Sequence, residues 1–405
     1  MKFLLVGLFF FSCLSADSSY LLNDILTKVL LKNQELNGYN YDMRASDAKI
    51  LQAGLYINPW FDVETENINA PVFRQTTYLL SQLIELGNKR KARLVLATKE
   101  RDKIFLDYEV KKRELLVQTA LLFIEVLGGQ QKVSFLEENF KVLNEFSSVV
   151  EKRVEAGKAS LIEEANFVVL LNTARIDLQS AKNELKNAQI RLASQWGETN
   201  EPSFFVVGSL EELPDVLDLK EMGSLLEEHP QVVRFYFEEA YRDAEVSSQI
   251  SKSYPDINLR GGPRYLEEAK KWVWVFGLTM PLPINDRNQG RILEALENKD
   301  KLEKEREAVF VKLLSELNSS YVSLQNAFQE ILVFKDFILP AAQKAYGQSY
   351  KGYHLARYNY LELLETERAY RSSKMRYLQV LGEYHKALTI IQGLTGLKAI
   401  RCEES

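Results

Sequence analysis

Between Glu151 and Gly197 the chain reads EKRVEAGKASLIEEANFVVLLNTARIDLQSAKNELKNAQIRLASQWG: a helix end, a tight reversal at Gly157 and a second long helix. Ahead of it the helical pattern runs back to Pro71 without a proline. Over that stretch Leu115, Thr119, Leu122, Val126, Gly129, Val133, Leu136, Phe140, Leu143, Ser147, Val150 and Val154 alternate steps of four and three. This is a heptad seam, and its resumption after Gly157 predicts two long helices side by side as an antiparallel hairpin. At 1.5 Å per residue, Gly87 to Ala156 gives roughly 100 Å of helix. Gly128-Gly129 is its one weak place, a local kink or a close helix contact.

The same hairpin returns from Tyr353 to Gly396. Pro59 and Pro255, and likewise Asn33 and His229, stand 196 residues apart, Arg93 and Arg291 198, and Gly157 and Ala356, like Gly197 and Gly396, 199. Offsets this constant describe a duplicated chain with almost no gaps. Each half is expected to run helix, strand, strand, very long helix, reversal, helix, a mainly α chain with a β contribution. The expected plan is a signal segment over 1–16 and a first repeat over 17–197, with strands within about 55–84 and a hairpin within about 87–196. A linker over 198–228 follows, then a second repeat over 229–396, with strands within about 256–283 and a hairpin within about 290–395, and a tail over 397–405. The first helix is expected from Tyr20 to about Lys49, the linker to hold one short strand at Phe204–Val207, and Pro340 to kink the second long helix.

The extended segments have two faces. In LYINPWFDVETENI, Phe61, Val63 and Thr65 fall on one side and Trp60, Asp62, Glu64 and Glu66 on the other; a second extended run covers Phe73 to Ile84. Asp256–Glu267 and Lys271–Pro283 are the counterparts, and the latter puts Trp272, Trp274, Phe276, Leu278, Met280 and Leu282 on one face at strict period two. A strand with an apolar and an acidic face fits a barrel wall between lipid and water, and indoles at the end of the stripe suit a membrane interface; a half-buried soluble strand reads the same way. No stretch offers ~18 consecutive apolar residues, so a membrane role would fall to the strands.

The net charge is −5 with acids and bases interleaved, which disfavours nucleic-acid binding. No nucleophile–base set, phosphate-cradling glycine loop or recognisable carboxylate dyad is present, so neither an enzyme nor a cofactor is expected. His229, His354 and His385 lie far apart, and there is no Met-rich run; soft-metal binding needs clustered donors, so no metal site is expected. Met1-Lys2, the apolar run Phe3–Phe11 and Leu14-Ser15-Ala16 read as a secretory signal cleaved after Ala16. A lipoprotein reading would put the lipid on Cys13, but Phe10-Phe11-Ser12 is a poor lipobox. Cleavage after Ala16 leaves Cys402 alone, without an intrachain disulfide.

RVEAGKASLIEE at Arg153–Glu164, SQLIELGNKRKAR at Ser81–Arg93, PLPINDRNQGRILEA at Pro281–Ala295 and HPQV at His229–Val232 resemble the TolC-type outer-membrane efflux proteins, across nearly the whole mature chain. The last three are most similar to the heavy-metal branch, the outer-membrane component of cobalt-zinc-cadmium and copper-silver exporters. The resemblance implies a homotrimer in which each subunit gives four strands to a twelve-stranded β-barrel in outer-membrane lipid and its helices to a long periplasmic α-helical barrel. Four strands cannot close a barrel alone, and open edges in lipid leave backbone groups unpaired. It also implies that a periplasmic adaptor (membrane fusion protein) and an inner-membrane pump dock at the hairpin tips. Here these are Glu155, Ala156, Gly157, Lys158, Ala159, Ser160 and Leu161 in the first half, and Leu355, Ala356, Arg357, Tyr358, Asn359, Tyr360 and Leu361 in the second.

Gly157 also serves as a helix C-cap. Ala356 stands where the second reversal would carry a glycine, so that reversal is shaped differently or takes its positive φ at Asn359. In a trimer Glu163, Glu164, Glu362 and Glu365 could form an acidic ring near the periplasmic mouth, although solvated helix faces carry such charges too. Trp272, Trp274, Phe276 and Leu278 would face lipid, and Asp62 and Glu64 could tune the lumen. The resulting expectation is a passive conduit of a tripartite efflux system, with heavy-metal cations as cargo. A duct for drug efflux or type I protein secretion is the alternative within the fold, and a periplasmic coiled-coil scaffold or adaptor the alternative outside it.

Overall fold

The computed structural model describes residues 18–198, 204–214, 218–355 and 357–396; the signal segment, Cys13, Ala356 and Cys402 lie outside them. In chain order the elements are β1 (Ser18–Tyr20), α1 (Leu22–Lys32), α2 (Gln34–Gly54), β2 (Trp60–Glu66), β3 (Gln75–Ile84), α3 (Lys89–Glu155), α4 (Leu161–Ser194) and β4 (Phe204–Val206). They continue with α5 (Leu219–Leu225), α6 (Pro230–Lys252), β5 (Ile257–Leu266), β6 (Lys271–Thr279), α7 (Gln289–Val333), α8 (Leu339–His354) and α9 (Tyr360–Thr395). The chain divides into a hairpin unit, made of residues up to Gln34, Glu114–Leu219 and Leu317 onward, and a sheet unit, made of Glu35–Arg113 and Lys220–Glu316.

In the hairpin unit, the proline-free seam becomes the later part of α3, a helix of 67 residues. Leu143, Phe146 and Val150 of α3 bury against Phe167 and Ala174 of α4, Tyr353 of α8, and Tyr360 and Leu363 of α9. The helix passes Gly128-Gly129 without a break. A Cβ on Gly129 would press on the Leu185 side chain of α4, so the glycine marks a close helix contact. Pro340 does not break its helix either. Residues Phe334–Ile338 widen into a π turn just before it, with Leu339 N donating to Phe334 O, which accommodates the proline inside a continuing helical path.

The N-terminal helix expected from Tyr20 is divided. Ser18–Tyr20 pairs in parallel with Phe204–Val206, and Asn33 is extended between α1 and α2, its side-chain amide donating to Gln195 O at 2.8 Å. The Gln130 side chain meets both backbone groups of Val206 at 2.9 Å, and Gln189 donates to Phe204 O at 2.7 Å. Glutamines from α3 and α4 thus satisfy polar backbone that a three-residue strand leaves open.

In the sheet unit, four strands pair antiparallel in the order β2-β3-β5-β6, so the two strand pairs of the duplicated chain join through β3 and β5. The run expected from Phe73 starts with a 3-10 turn over Pro71–Phe73 and becomes strand at Gln75. The β3–β5 ladder is interrupted between Thr77↔Arg264 and Leu80↔Gly261, opposite Gly262-Pro263. Proline has no N–H to give a ladder, and a Cβ on Gly262 would overlap the Tyr78 carbonyl oxygen.

Candidate functional site

The strand registers sort the sheet into two chemically different faces. One carries Phe61 and Val63, Tyr78 and Leu80, Leu259 and Tyr265, and Trp272, Trp274, Phe276 and Leu278. No described residue covers it: Trp274 is 72% and Phe276 80% exposed, and Phe61, Val63, Leu80, Trp272 and Leu278 are exposed as well. A contiguous apolar patch of this kind needs lipid or protein against it. Trp272 stands 5.1 Å from the Tyr265 ring and 6.1 Å from that of Tyr78, so aromatic rings gather at the β5–β6 hairpin end of the face.

The opposite face carries bonded polar side chains beside Leu79, Leu83, Val273 and Val275. Arg264 donates to Thr77 Oγ1 at 2.8 Å and to Gln75 Oε1 at 3.1 Å, with Glu66 at 3.8 Å, and Ser81 donates to Asp62 at 3.2 Å. Asp62, Glu64 and Trp60 share this side, at exposed positions of β2. Among the described residues, the outer strands β2 and β6 each pair on one side only.

The hairpin ends belong to the other unit. After Glu155 the chain closes as a Schellman turn: Lys158 N donates to Arg153 O at 2.8 Å, Gly157 N donates to Val154 O at 2.9 Å, and Gly157 takes φ +66°. Ser160 then caps α4, accepting from Glu163 N. The second reversal repeats the closing bond 199 residues on, with Arg357 N donating to Gly352 O at 2.8 Å. Asn359 is not its positive-φ residue. It is extended at φ −87° and caps α9 through a reciprocal pair of bonds with Glu362.

Of the expected tip residues, Glu155, Ala156, Lys158, Leu161, Leu355, Arg357, Tyr358, Asn359 and Leu361 are exposed, and Ala159 is half-buried. Tyr360 differs. Its ring is buried in the core that joins the hairpins and offers no surface to a partner. The four acidic positions also divide. The Glu362 carboxylate is occupied by its cap, Glu163 is half-buried and meets Tyr353 Oη at 3.5 Å, and Glu164 is half-buried, while Glu365 is exposed.

Two arrangements had no signal in the sequence. Arg153 of α3 stacks 4.1 Å from the centre of the buried Tyr353 ring of α8 and donates to the Tyr353 carbonyl, tying one hairpin end to the other. Farther along α9, Glu367 is 1% exposed. It accepts from Asn139 of α3 at 3.2 Å and pairs with Arg371, which also pairs with Asp177 of α4 at 2.9 Å. Burial pushes the Glu367 carboxyl up, against the pull of Arg371, Asn139 and Arg368. Arg153 and Tyr353 lie 200 positions apart, Asn139 and Glu367 228, and Asp177 and Arg371 194; Arg371, one turn along α9 from Glu367, is the local partner.

His229 caps α6, its Nδ1 accepting from Gln231 N at 3.2 Å, and burial and then Arg113 push its pKa down to about 4. Among the described residues no group of three or more His, Cys, Asp or Glu side chains could hold a metal ion, and no helix is long and apolar enough to cross a membrane.

The chain is 28% identical over 366 residues to the cobalt-zinc-cadmium resistance protein CzcC of Cupriavidus metallidurans, covering 90% of this chain and 87% of that protein. It is 26% identical over 267 residues to the nickel-cobalt-cadmium resistance protein NccC of Alcaligenes xylosoxydans xylosoxydans, covering 63% of this chain and 59% of that one. The CmeC outer membrane channel of Campylobacter jejuni shares the fold, with a TM-score of 0.77 over 93% of this chain and 85% of that one at 15% identity. The outer membrane efflux protein profile itself matches residues 35–198 and 222–397, most of both halves, and the chain belongs to that family.

Proposed function

We propose that the protein is the outer-membrane exit duct of a tripartite efflux system, a passive conduit formed by three copies of the chain, with heavy-metal cations as cargo. The carrying observation is the two-faced sheet: an exposed aromatic and aliphatic face backed by a face with bonded polar side chains, with both outer strands open along one side among the described residues. Lipid covers the first face, water fills the space behind the second, and three sheets joined edge to edge close a twelve-stranded wall. The periplasmic adaptor and the inner-membrane pump dock at the hairpin ends, where Leu161, Ile162, Leu355 and Leu361 are exposed. The cargo rests on the resistances named for CzcC and NccC.

The test has two parts. Detergent-extracted protein is expected to run as a trimer and to give single-channel conductance in a planar bilayer; a water-soluble monomer without conductance overturns the duct. In a strain lacking its own duct, co-expression with the cognate pump and adaptor is expected to raise zinc, cobalt or cadmium tolerance. Restored export of drugs or of a protein without metal tolerance would reassign the cargo. Trp274→Lys should impair membrane insertion, the cost of a lysine on the lipid face falling from about 2–4 kcal/mol at the bilayer midplane to about 0–1 kcal/mol at the interface; an unaffected variant favours a periplasmic scaffold.

A further inference from the structure

Where β3 approaches α3, the apolar face changes character. Along that face β3 presents Tyr78, Leu80, Gln82 and Ile84, and the chain turns through Gly87 and Asn88, both with positive φ, into three consecutive cations, Lys89, Arg90 and Lys91. A cleft of about 830 Å³ opens here, lined by these cations together with Tyr56, Gln82, Ile84 and Glu85, whose carboxylate is held by Arg93 at 2.6 Å. The Arg90 guanidinium lies 3.9 Å from the centre of the exposed Tyr56 ring, with Nη1 donating to Gly54 O at 3.4 Å. Lys89 pairs with Asp256 at 2.7 Å, and Lys91 is exposed.

Three positive charges in a first turn oppose the helix dipole, so the stability of α3 does not call for them. The duplicated half supplies the comparison. There α7 follows Asn288, also at positive φ, as α3 follows Asn88, and it opens with Gln289, Gly290 and Arg291. The basic run is particular to the first half.

We propose that this cleft holds the phosphate headgroup of an anionic phospholipid from the leaflet bordering the helices, with the acyl chains lying on the apolar face of the sheet. The proposal rests on reading that face as a membrane wall. From Leu80 through Gln82 and Tyr56 to Arg90 and Lys91, the order of apolar, amide, amphipathic ring and cation matches a lipid from tail to phosphate. Tyr56 holds the planar guanidinium by its face, which leaves the edge donors of Arg90 free of the ring and suited to phosphate oxygens. A free phosphate ion would use the cations and leave the apolar stripe bare, and for that reason a lipid is the occupant.

The full-length protein, reconstituted in phosphatidylethanolamine nanodiscs with graded phosphatidylglycerol, is analysed for bound lipid by native mass spectrometry. Wild type is expected to enrich phosphatidylglycerol, K91R to retain the enrichment, and R90Q/K91Q to lose it several-fold while still inserting. K91Q alone, at an exposed position, should show an intermediate loss and covers the case in which the double variant misfolds. An inserted wild type without preference, or variants with unchanged enrichment, overturns the proposal. Displacement by inorganic phosphate also overturns it, since the site would then take a free anion. A wild type that fails to insert at all overturns the reading of the sheet instead.

Discussion

At Gly262 one methyl group decides whether two strands can meet. An added Cβ would lie 1.8 Å from the Tyr78 carbonyl oxygen, so Gly262→Ala must push β3 and β5 apart where the halves of the sheet join. Overpacking of this kind costs about 1–3 kcal/mol. The expected result is a lower yield of membrane-inserted protein, while Gly223→Ala, with open space around it, changes nothing; equal yields would show that the sheet can relax. His229 sets a pH limit. The neutral ring caps α6, and burial holds its pKa near 4, below the usual value of 6.5. The unfolded chain therefore binds the proton more readily, and stability present above pH 6.5 is lost as pH falls toward 4, by up to about 3 kcal/mol. His229→Asn keeps a capping acceptor and removes the titration. Thermal melts at pH 7 and pH 4.5 should show a smaller drop for the variant, and identical drops would mean that other groups dominate acid lability.

Among elements, α9 is held by distant partners. Its Glu367 sits in the core that α3, α4 and α8 complete, and Arg371 compensates that charge while reaching Asp177. Arg371→Ala leaves a carboxylate buried without its cation, which costs about 3–5 kcal/mol. Adding Glu367→Gln removes the stranded charge and keeps an acceptor for Asn139, so the double variant should regain much of the melting temperature. A double variant no better than Arg371→Ala would assign the loss to the Asp177 contact. The π turn before Pro340 and the split at Asn33 are settled at the same scale, since in each the backbone finds partners that a single straight helix would not provide.

For the whole molecule, the roles proposed for the hairpin ends and for the sheet differ, and one substitution separates them. Gly157 has φ +66°, and its N–H donates to Val154 O; proline can supply neither. Gly157→Pro should reshape the first hairpin end and abolish metal tolerance in the co-expression assay, while trimer formation and conductance survive. Unchanged tolerance would remove the docking role from that end. Loss of conductance as well would show that the reversal is needed for folding.

The sequence by itself determined the long helices, the reversal at Gly157 and the two-faced strands, because each follows from side-chain period or from a backbone angle that glycine permits locally. It also determined the duplication, which made four strands per chain and so implied a sheet with open edges. The Asn359 cap is local, a box with Glu362 three residues on that the sequence carries, whereas tertiary structure alone decided that β3 pairs with β5 and that Tyr360 lies buried in the core at the tips. It alone brought Arg153 to Tyr353, Asn139 to Glu367 and Asp177 to Arg371. These outcomes depend on groups far apart in the chain, whose contact is set by how helices and strands pack, and no periodic pattern records which distant residue will face which.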